Sequence, residues 1–100
     1  MEHRWGQRVA VKMPVELNVR PHAVNWMRDV SASGAFIETL PLFPIFSLLH
    51  VTFMVGGSMQ SVPGYVVRVG GDGMGVEWCT FAPQAIRALL TPAKGVHRRV

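Results

Sequence analysis

Cysteine is nearly absent: the 100 residues hold one, Cys79. No disulfide can close within the chain, and a cysteine-rich metal site is excluded. This fits a reducing cytoplasm, which is the expected location. No His–Asn or His–Asp signature accompanies Cys79, so it reads as an ordinary strand residue rather than a nucleophile. A long apolar run is also missing. The most apolar stretch, Leu40 to Val55, carries Pro41, Pro44 and His50, too short and too interrupted for a transmembrane helix. No membrane insertion is expected. The start, Met1-Glu2-His3-Arg4 and then Gly6, lacks the apolar segment of a secretory signal.

The marks of catalysis are lacking as well. His3, His22, His50 and His97 are scattered, with no metal-ligand spacing, so no metal site is expected. Asp29, Glu38, Asp72 and Glu77 make no recognisable acid–base pair, and no nucleophile stands with its base. Gly70-Gly71-Asp72-Gly73 is glycine-rich but lacks the Lys-[Ser/Thr] of a phosphate loop, and it joins two strands. The chain is therefore read as a non-enzyme without a cofactor. It shows no internal repeat, no low-complexity segment and no linker.

What is present is a core. Hydrophobic residues make up 49% and charged residues 16%, enough for one packed domain. The formal net charge of +4 favours an anionic partner. Lys94, His97, Arg98 and Arg99, however, crowd into a basic tail over 93–100, so position must carry that argument.

The dominant period is two. Val9, Val11, Met13, Val15, Leu17 and Val19 alternate with Ala10, Lys12, Pro14, Glu16, Asn18 and Arg20, a long half-buried strand. Pro14 falls on its outer face, which suggests an edge or a bulge. Next, Val24, Trp26 and Val30 form an inner face and Asn25, Met27, Asp29 and Ser31 an outer one, with Arg28 an exception on the inner side. A short strand follows at Ala35–Leu40. Leu49, Val51, Phe53 and Val55 alternate with Leu48, His50, Thr52 and Met54. Gly56-Gly57-Ser58 marks a hairpin. Gln60–Val69 reads as a strand bent at Pro63-Gly64, and Gly70–Gly73 as a second hairpin. Met74, Val76 and Trp78 close the series, with Trp26 and Trp78 both assigned to the core. The period then changes: Ile86, Leu89 and Leu90 share one helical face after Pro83, and Pro92 and Gly95 stop the helix. The expected fold is mainly all-β, a six-stranded antiparallel barrel with one C-terminal α-helix covering an open end. It is a single domain over 1–92, with a loop at 1–8, the barrel at 9–80 and the helix at 83–91.

Two segments stand apart from this pattern. Arg4-Trp5-Gly6-Gln7-Arg8 precedes the first strand. Arginine's planar fork holds phosphate through paired hydrogen bonds, and its flat face stacks on purines. Asp29-Val30-Ser31-Ala32-Ser33-Gly34 ends the second strand. Asp29 and Ser31, two apart, are expected on one outer face, where a carboxylate accepts the N1–H and amine of guanine and a hydroxyl serves a base edge or a phosphate. Gly34 suits positive φ or close ligand approach. The plain alternatives are solvated arginines and a capped turn.

In order and on this strand pattern, the two segments resemble the PilZ family. Its RxxxR motif matches Arg4 and Arg8, and its [D/N]xSxxG motif matches Asp29, Ser31 and Gly34. Val66–Val69 and Gly75–Trp78 look like the family's final strand pair, and the resemblance covers roughly residues 3–92. It implies a bacterial receptor for cyclic di-GMP. Arg4 and Arg8 would clamp phosphate and stack on guanine, and Asp29, Ser31 and the Gly34 backbone would hold a base. The N-terminal loop, mobile without ligand, would order over it and alter contact with an effector protein in motility, biofilm or polysaccharide secretion. His3 stands where many members carry another arginine that influences whether one nucleotide or an intercalated pair is bound. His3, Trp5 and Ser33 are secondary ligand candidates. A monomer or weak homodimer is expected. The alternatives are an adaptor that ignores the nucleotide, or a barrel for single-stranded nucleic acid. The first typically lacks the motif arginines. The second needs exposed aromatics, whereas the alternation turns Trp26, Phe53 and Trp78 inward.

Overall fold

The computed structural model describes residues 7–17, 25–39 and 43–91. Six strands and one helix follow in order: β1 (Val9–Leu17), β2 (Asn25–Val30), β3 (Gly34–Glu38), β4 (Leu48–Val55), β5 (Ser58–Gly70), β6 (Gly73–Trp78) and α1 (Gln84–Leu90). The strands close into an antiparallel barrel in the order β1-β2-β3-β6-β5-β4. Closure removes the unpaired edges a flat sheet would leave.

The period-two pattern places the core. In β4, Leu49, Val51 and Phe53 are buried while Leu48, His50 and Met54 are exposed. In β1, Val15 and Leu17 are buried, Val11 and Met13 are half-buried, and Lys12, Pro14 and Glu16 face water. Val62, Val66, Met74, Val76 and Trp78 fill the barrel from β5 and β6. In the β4–β5 hairpin Val55 pairs with Ser58, and both residues between them have positive φ, Gly56 at 57° and Gly57 at 85°. That is the backbone a two-residue hairpin with the twist of its strands requires. In α1, Ile86 joins the core, with Ala85, Leu89 and Leu90 packed against it, and the helix rests on β4 and β5. Pro83 opens the helix without a side-chain cap.

The structure corrects the sequence reading of β2. Asn25 and Met27 point inward, 1% and 0% exposed, and Trp26 lies half-buried on the outer side. Trp26 is thus not core, and Arg28 is no exception, because it shares Trp26's face. Asn25 is tolerated inside because it is bonded: its Nδ2 donates to the Val15 carbonyl at 3.4 Å, and its Oδ1 accepts from the Thr39 hydroxyl. The inner and outer faces exchange at a bulge between Met27 and Asp29 in the β2–β3 ladder, after which Val30 is buried. Only the half of β2 beyond the bulge follows the expected faces.

Strand β5 also departs from expectation. The ladder to β4 keeps its register through Pro63 opposite His50 and Gly64 opposite Leu49, so there is no bulge at that point. The irregularity lies between Val66 and Arg68, opposite β6. Strand β3 ends at Glu38, short of Leu40. Near Pro14 the expected irregularity exists, between Ala10 and Met13.

Candidate functional site

The start of β1 runs beside the end of β2, with Val9 opposite Val30 and Ala10 opposite Asp29. Arg8, one residue before β1, thereby arrives next to Asp29. Its Nη1 donates to Asp29 Oδ1 at 2.6 Å, with the two side chains 49% and 27% exposed. This joins the end of the first sequence segment to the start of the second. Asp29 faces outward because of the bulge: strict alternation from the inward Met27 would have turned it into the core. An ion pair this exposed adds little to stability, about 0–1 kcal/mol. Both partners keep further hydrogen-bonding capacity, since Arg8 has other N–H groups and Asp29 a second oxygen.

Ser31 differs from expectation. It is 1% exposed and does not share the outer face with Asp29. Its Oγ accepts from the N–H groups of Ser33 and Gly34, each at 3.3 Å, and lies 3.3 Å from the Gly34 carbonyl and 3.2 Å from Ser33 Oγ. Its own N–H donates to the Gly34 carbonyl at 2.8 Å. A hydroxyl that bonds its neighbours' backbone in this way builds a turn.

Gly34 has a structural reason too, and it is not positive φ. A Cβ there would strike the Val76 carbonyl oxygen and sit 3.2 Å from Glu77 Cα. Strand β3 approaches β6 too closely for a side chain. The close approach expected of a ligand is made by a neighbouring strand.

The turn is pinned from outside. Trp78 Nε1 donates to the Ser31 carbonyl at 3.2 Å, Trp78 N–H to the Ser33 carbonyl at 2.9 Å, and Ala82 N–H to the Ala32 carbonyl at 2.8 Å. The sequence reading treated Trp78 only as core. Its second role was signalled by chemistry, since a buried indole N–H needs an acceptor. Arg8 and Asp29 therefore stand on a rigid shelf. Arg4, Trp5 and His3 lie outside the described residues.

A second charged group occupies the same outer surface. Arg28 Nη1 bonds Glu38 Oε2 at 2.9 Å and Asp72 Oδ2 at 3.3 Å, and its guanidinium lies 4.3 Å from the Phe36 ring centre. The hydrogen bond to Glu38 and the nearby carboxylates raise its pKa further. Lys12, Trp26, Arg28 and Glu38 border a groove of about 230 Å³. On the β5–β6 pair, where Tyr65 lies opposite Glu77, the Glu77 carboxylate raises the pKa of Tyr65 above the ordinary 10.0. With Trp26 outside, two of the three aromatics expected inside remain there, Phe53 and Trp78. Among the described residues, no group of three or more His, Cys, Asp or Glu gathers as a metal site would require. No helix among them is long and apolar enough to cross a membrane.

Comparison with known proteins agrees with this fold. The family model described as "PilZ domain" matches residues 2–91. Among solved structures, the PilZ domain of CeSA from a cellulose-synthesizing bacterium is similar in fold, with a TM-score of 0.64 and 17% identity over 89% of this chain and 96% of that one. No curated protein matches the sequence.

Proposed function

The chain belongs to the PilZ domain family, in general a family of cyclic di-GMP receptor domains, and from that premise we propose that it binds cyclic di-GMP where β1 begins and β2 ends. The observation that carries this reading is the Arg8–Asp29 ion pair. It brings the two motif segments within bonding distance while leaving both groups exposed. In the ligand-free chain each is the other's partner. In the complex, Asp29 accepts the N1–H and exocyclic amine of one guanine, and Arg8 turns to a phosphate or stacks on a base. Arg4 acts beside Arg8, and His3 and Trp5 are further contacts from the same segment. Ser31 and Gly34 serve mainly by fixing the turn that aims Asp29, and Ser33 offers its hydroxyl at the rim.

The domain performs no chemistry on the nucleotide. Ligand draws the N-terminal segment over the barrel and changes the surface offered to an effector protein in the cytoplasm, with motility, biofilm or polysaccharide secretion as the output. Isothermal titration of the full chain with cyclic di-GMP is the test. Saturable heat that disappears in Arg8→Ala, at unchanged thermal stability, is expected. No heat at tens of micromolar protein would leave the nucleotide-independent adaptor as the better reading. Salt-dependent retention of single-stranded RNA or DNA on a filter would instead favour a nucleic-acid partner.

A further inference from the structure

Charge is spread unevenly along the chain. There are ten Lys and Arg and six Asp and Glu, yet residues 39–67 contain none of them. Strand β4 and most of β5 fall inside this gap. An antiparallel sheet with one face on a core commonly turns a polar face to water. The outer face of the β4–β5 hairpin departs from that rule. Leu48 is opposite Tyr65 and Met54 is opposite Met59, with the His50–Pro63 and Thr52–Ser61 pairs between them. Leu48, Met54 and Met59 are each more than half exposed. The face is apolar at both ends and carries no Lys, Arg, Asp or Glu along its length.

The turn before β4 extends it. Phe46 is 76% exposed and has a φ of 72°, in the left-handed region that bulky residues avoid. Its N–H donates to the Val66 carbonyl at 2.6 Å. The Ser47 N–H and hydroxyl both donate to the Pro44 carbonyl, at 3.1 and 2.7 Å. Such a conformation persists only where its surroundings impose it, and it clusters at sites of binding. Here it fixes an aromatic ring in water, beside the exposed Ile45 and Val67. A ring held in this way is a preformed anchor.

Aromatic residues and methionine, with charge depleted, are the composition of an interface core. That composition also selects the partner. A nucleic-acid backbone or an anionic membrane calls for cations, and this face has none. The complement of an uncharged face is another uncharged face, and a second copy of the chain supplies one. The face runs over about 25 Å of strand. It offers on the order of 700 Å² per copy, close to the share that each partner gives to a standard interface.

We propose that two copies of the chain pair through this face as a two-fold dimer, with their hairpins stacked sheet on sheet and antiparallel. The axis lies between the two faces and crosses the strands between the His50–Pro63 and Thr52–Ser61 pairs. The Leu48–Tyr65 end of each copy then rests on the Met54–Met59 end of the other, as a self-complementary interface requires. Phe46, two residues before Leu48, arrives at Gly56 of the other copy, two residues after Met54. Gly56 borders a groove of about 370 Å³ lined also by Val55, Gln60, Ala85 and Ala88. The protruding ring of one copy thus meets the hollow of the other. In the order of the barrel, β2 and β3 stand opposite β5 and β4, so both Arg8–Asp29 shelves stay open.

The test is sedimentation of the full chain without nucleotide, from about 10 μM to 1 mM. Its outcome is independent of the cyclic di-GMP reading. A dimer that forms with rising concentration is expected. Leu48→Lys and Met54→Glu each set an unpaired charge in the contact and should weaken it about tenfold or more. Both positions are on the surface, so circular dichroism and melting temperature should not change. An equimolar mixture of the two variants should associate more tightly than either alone, because the new ammonium and carboxylate meet across the axis. Phe46→Ser should weaken the dimer as well. A wild type that stays monomeric to about 1 mM overturns the proposal. So does a dimer that neither charge disturbs. A mixture no tighter than the separate variants overturns the antiparallel arrangement.

Discussion

Replacing Gly34 with alanine separates what the fold demands from what the ligand demands. The new Cβ would collide with the Val76 carbonyl oxygen and stand 3.1 Å from the carbonyl carbon, so the obstacle is backbone and cannot rotate away. Gly34 pairs with Glu77 in a ladder of five residue pairs between β3 and β6. Moving one strand therefore strains its neighbours, including the Trp78 N–H bond to the Ser33 carbonyl. Overpacking in a well-filled site costs about 1–3 kcal/mol, and a backbone obstacle belongs at the upper end. For a domain of this size each kcal/mol lowers Tm by roughly 4–8 °C, so a fall of about 12–24 °C is expected. Thermal unfolding followed by far-ultraviolet circular dichroism measures it without any ligand. A fall below roughly 4 °C would refute the reasoning. It would mean that β3 and β6 separate freely and that glycine is required here for the nucleotide.

Two further outcomes follow from the same geometry. Ser31→Ala removes the hydroxyl that accepts two backbone N–H groups in a buried turn, so it should cost about 1–3 kcal/mol in urea unfolding; an unchanged midpoint would mean the turn holds without its serine. Tyr65 is the chain's one tyrosine, so its ionisation can be followed by ultraviolet absorbance. Glu77 disfavours the phenolate in the fold, so the transition should lie above the ordinary 10.0, and Glu77→Gln should bring it down. Because the folded pKa is raised, the contribution to stability is complete below the unfolded value and is lost as pH rises through the folded one. A transition that does not move in Glu77→Gln would show that the carboxylate is not the cause.

The strands were legible wherever alternation runs unbroken. Residues 48–55 carry inside and outside in their order alone, and the two glycine-marked hairpins fall where the glycines are. The helix was legible from the spacing of Ile86, Leu89 and Leu90. Strand β2 was misread because a bulge leaves no mark in composition. Trp26 is more apolar than Asn25, so the apolar pattern favoured the wrong face, and the Asn25–Thr39 hydrogen bond that makes a buried amide acceptable joins residues far apart in sequence. In the candidate site, the residue types and their order were readable, and the meeting of Arg8 with Asp29 matches the expected neighbourhood. The roles of Ser31 and Gly34 were not readable, because both depend on β6, more than forty residues downstream.

Three strands of this barrel contain one more residue than strict pairing allows: β1 between Ala10 and Met13, β2 between Met27 and Asp29, and β5 between Val66 and Arg68. Each works like a frameshift. On one side of it the strand is written in the frame that fills the interior; on the other, a charged residue or its immediate neighbour is delivered to the surface. A point substitution changes one letter in either frame, whereas deletion of the extra residue itself restores strict alternation and leaves the inward and outward sets on both sides unchanged. Deletion of Arg28 would leave Met27 inward, Asp29 outward and Val30 inward by plain alternation, opposite Ile37, Phe36 and Ala35 as they are now, with loss of the Arg28 contacts to Glu38 and Asp72. Within these strands the length changes that matter are those away from the bulges, where a deletion exchanges the inward and outward sets up to the next irregularity.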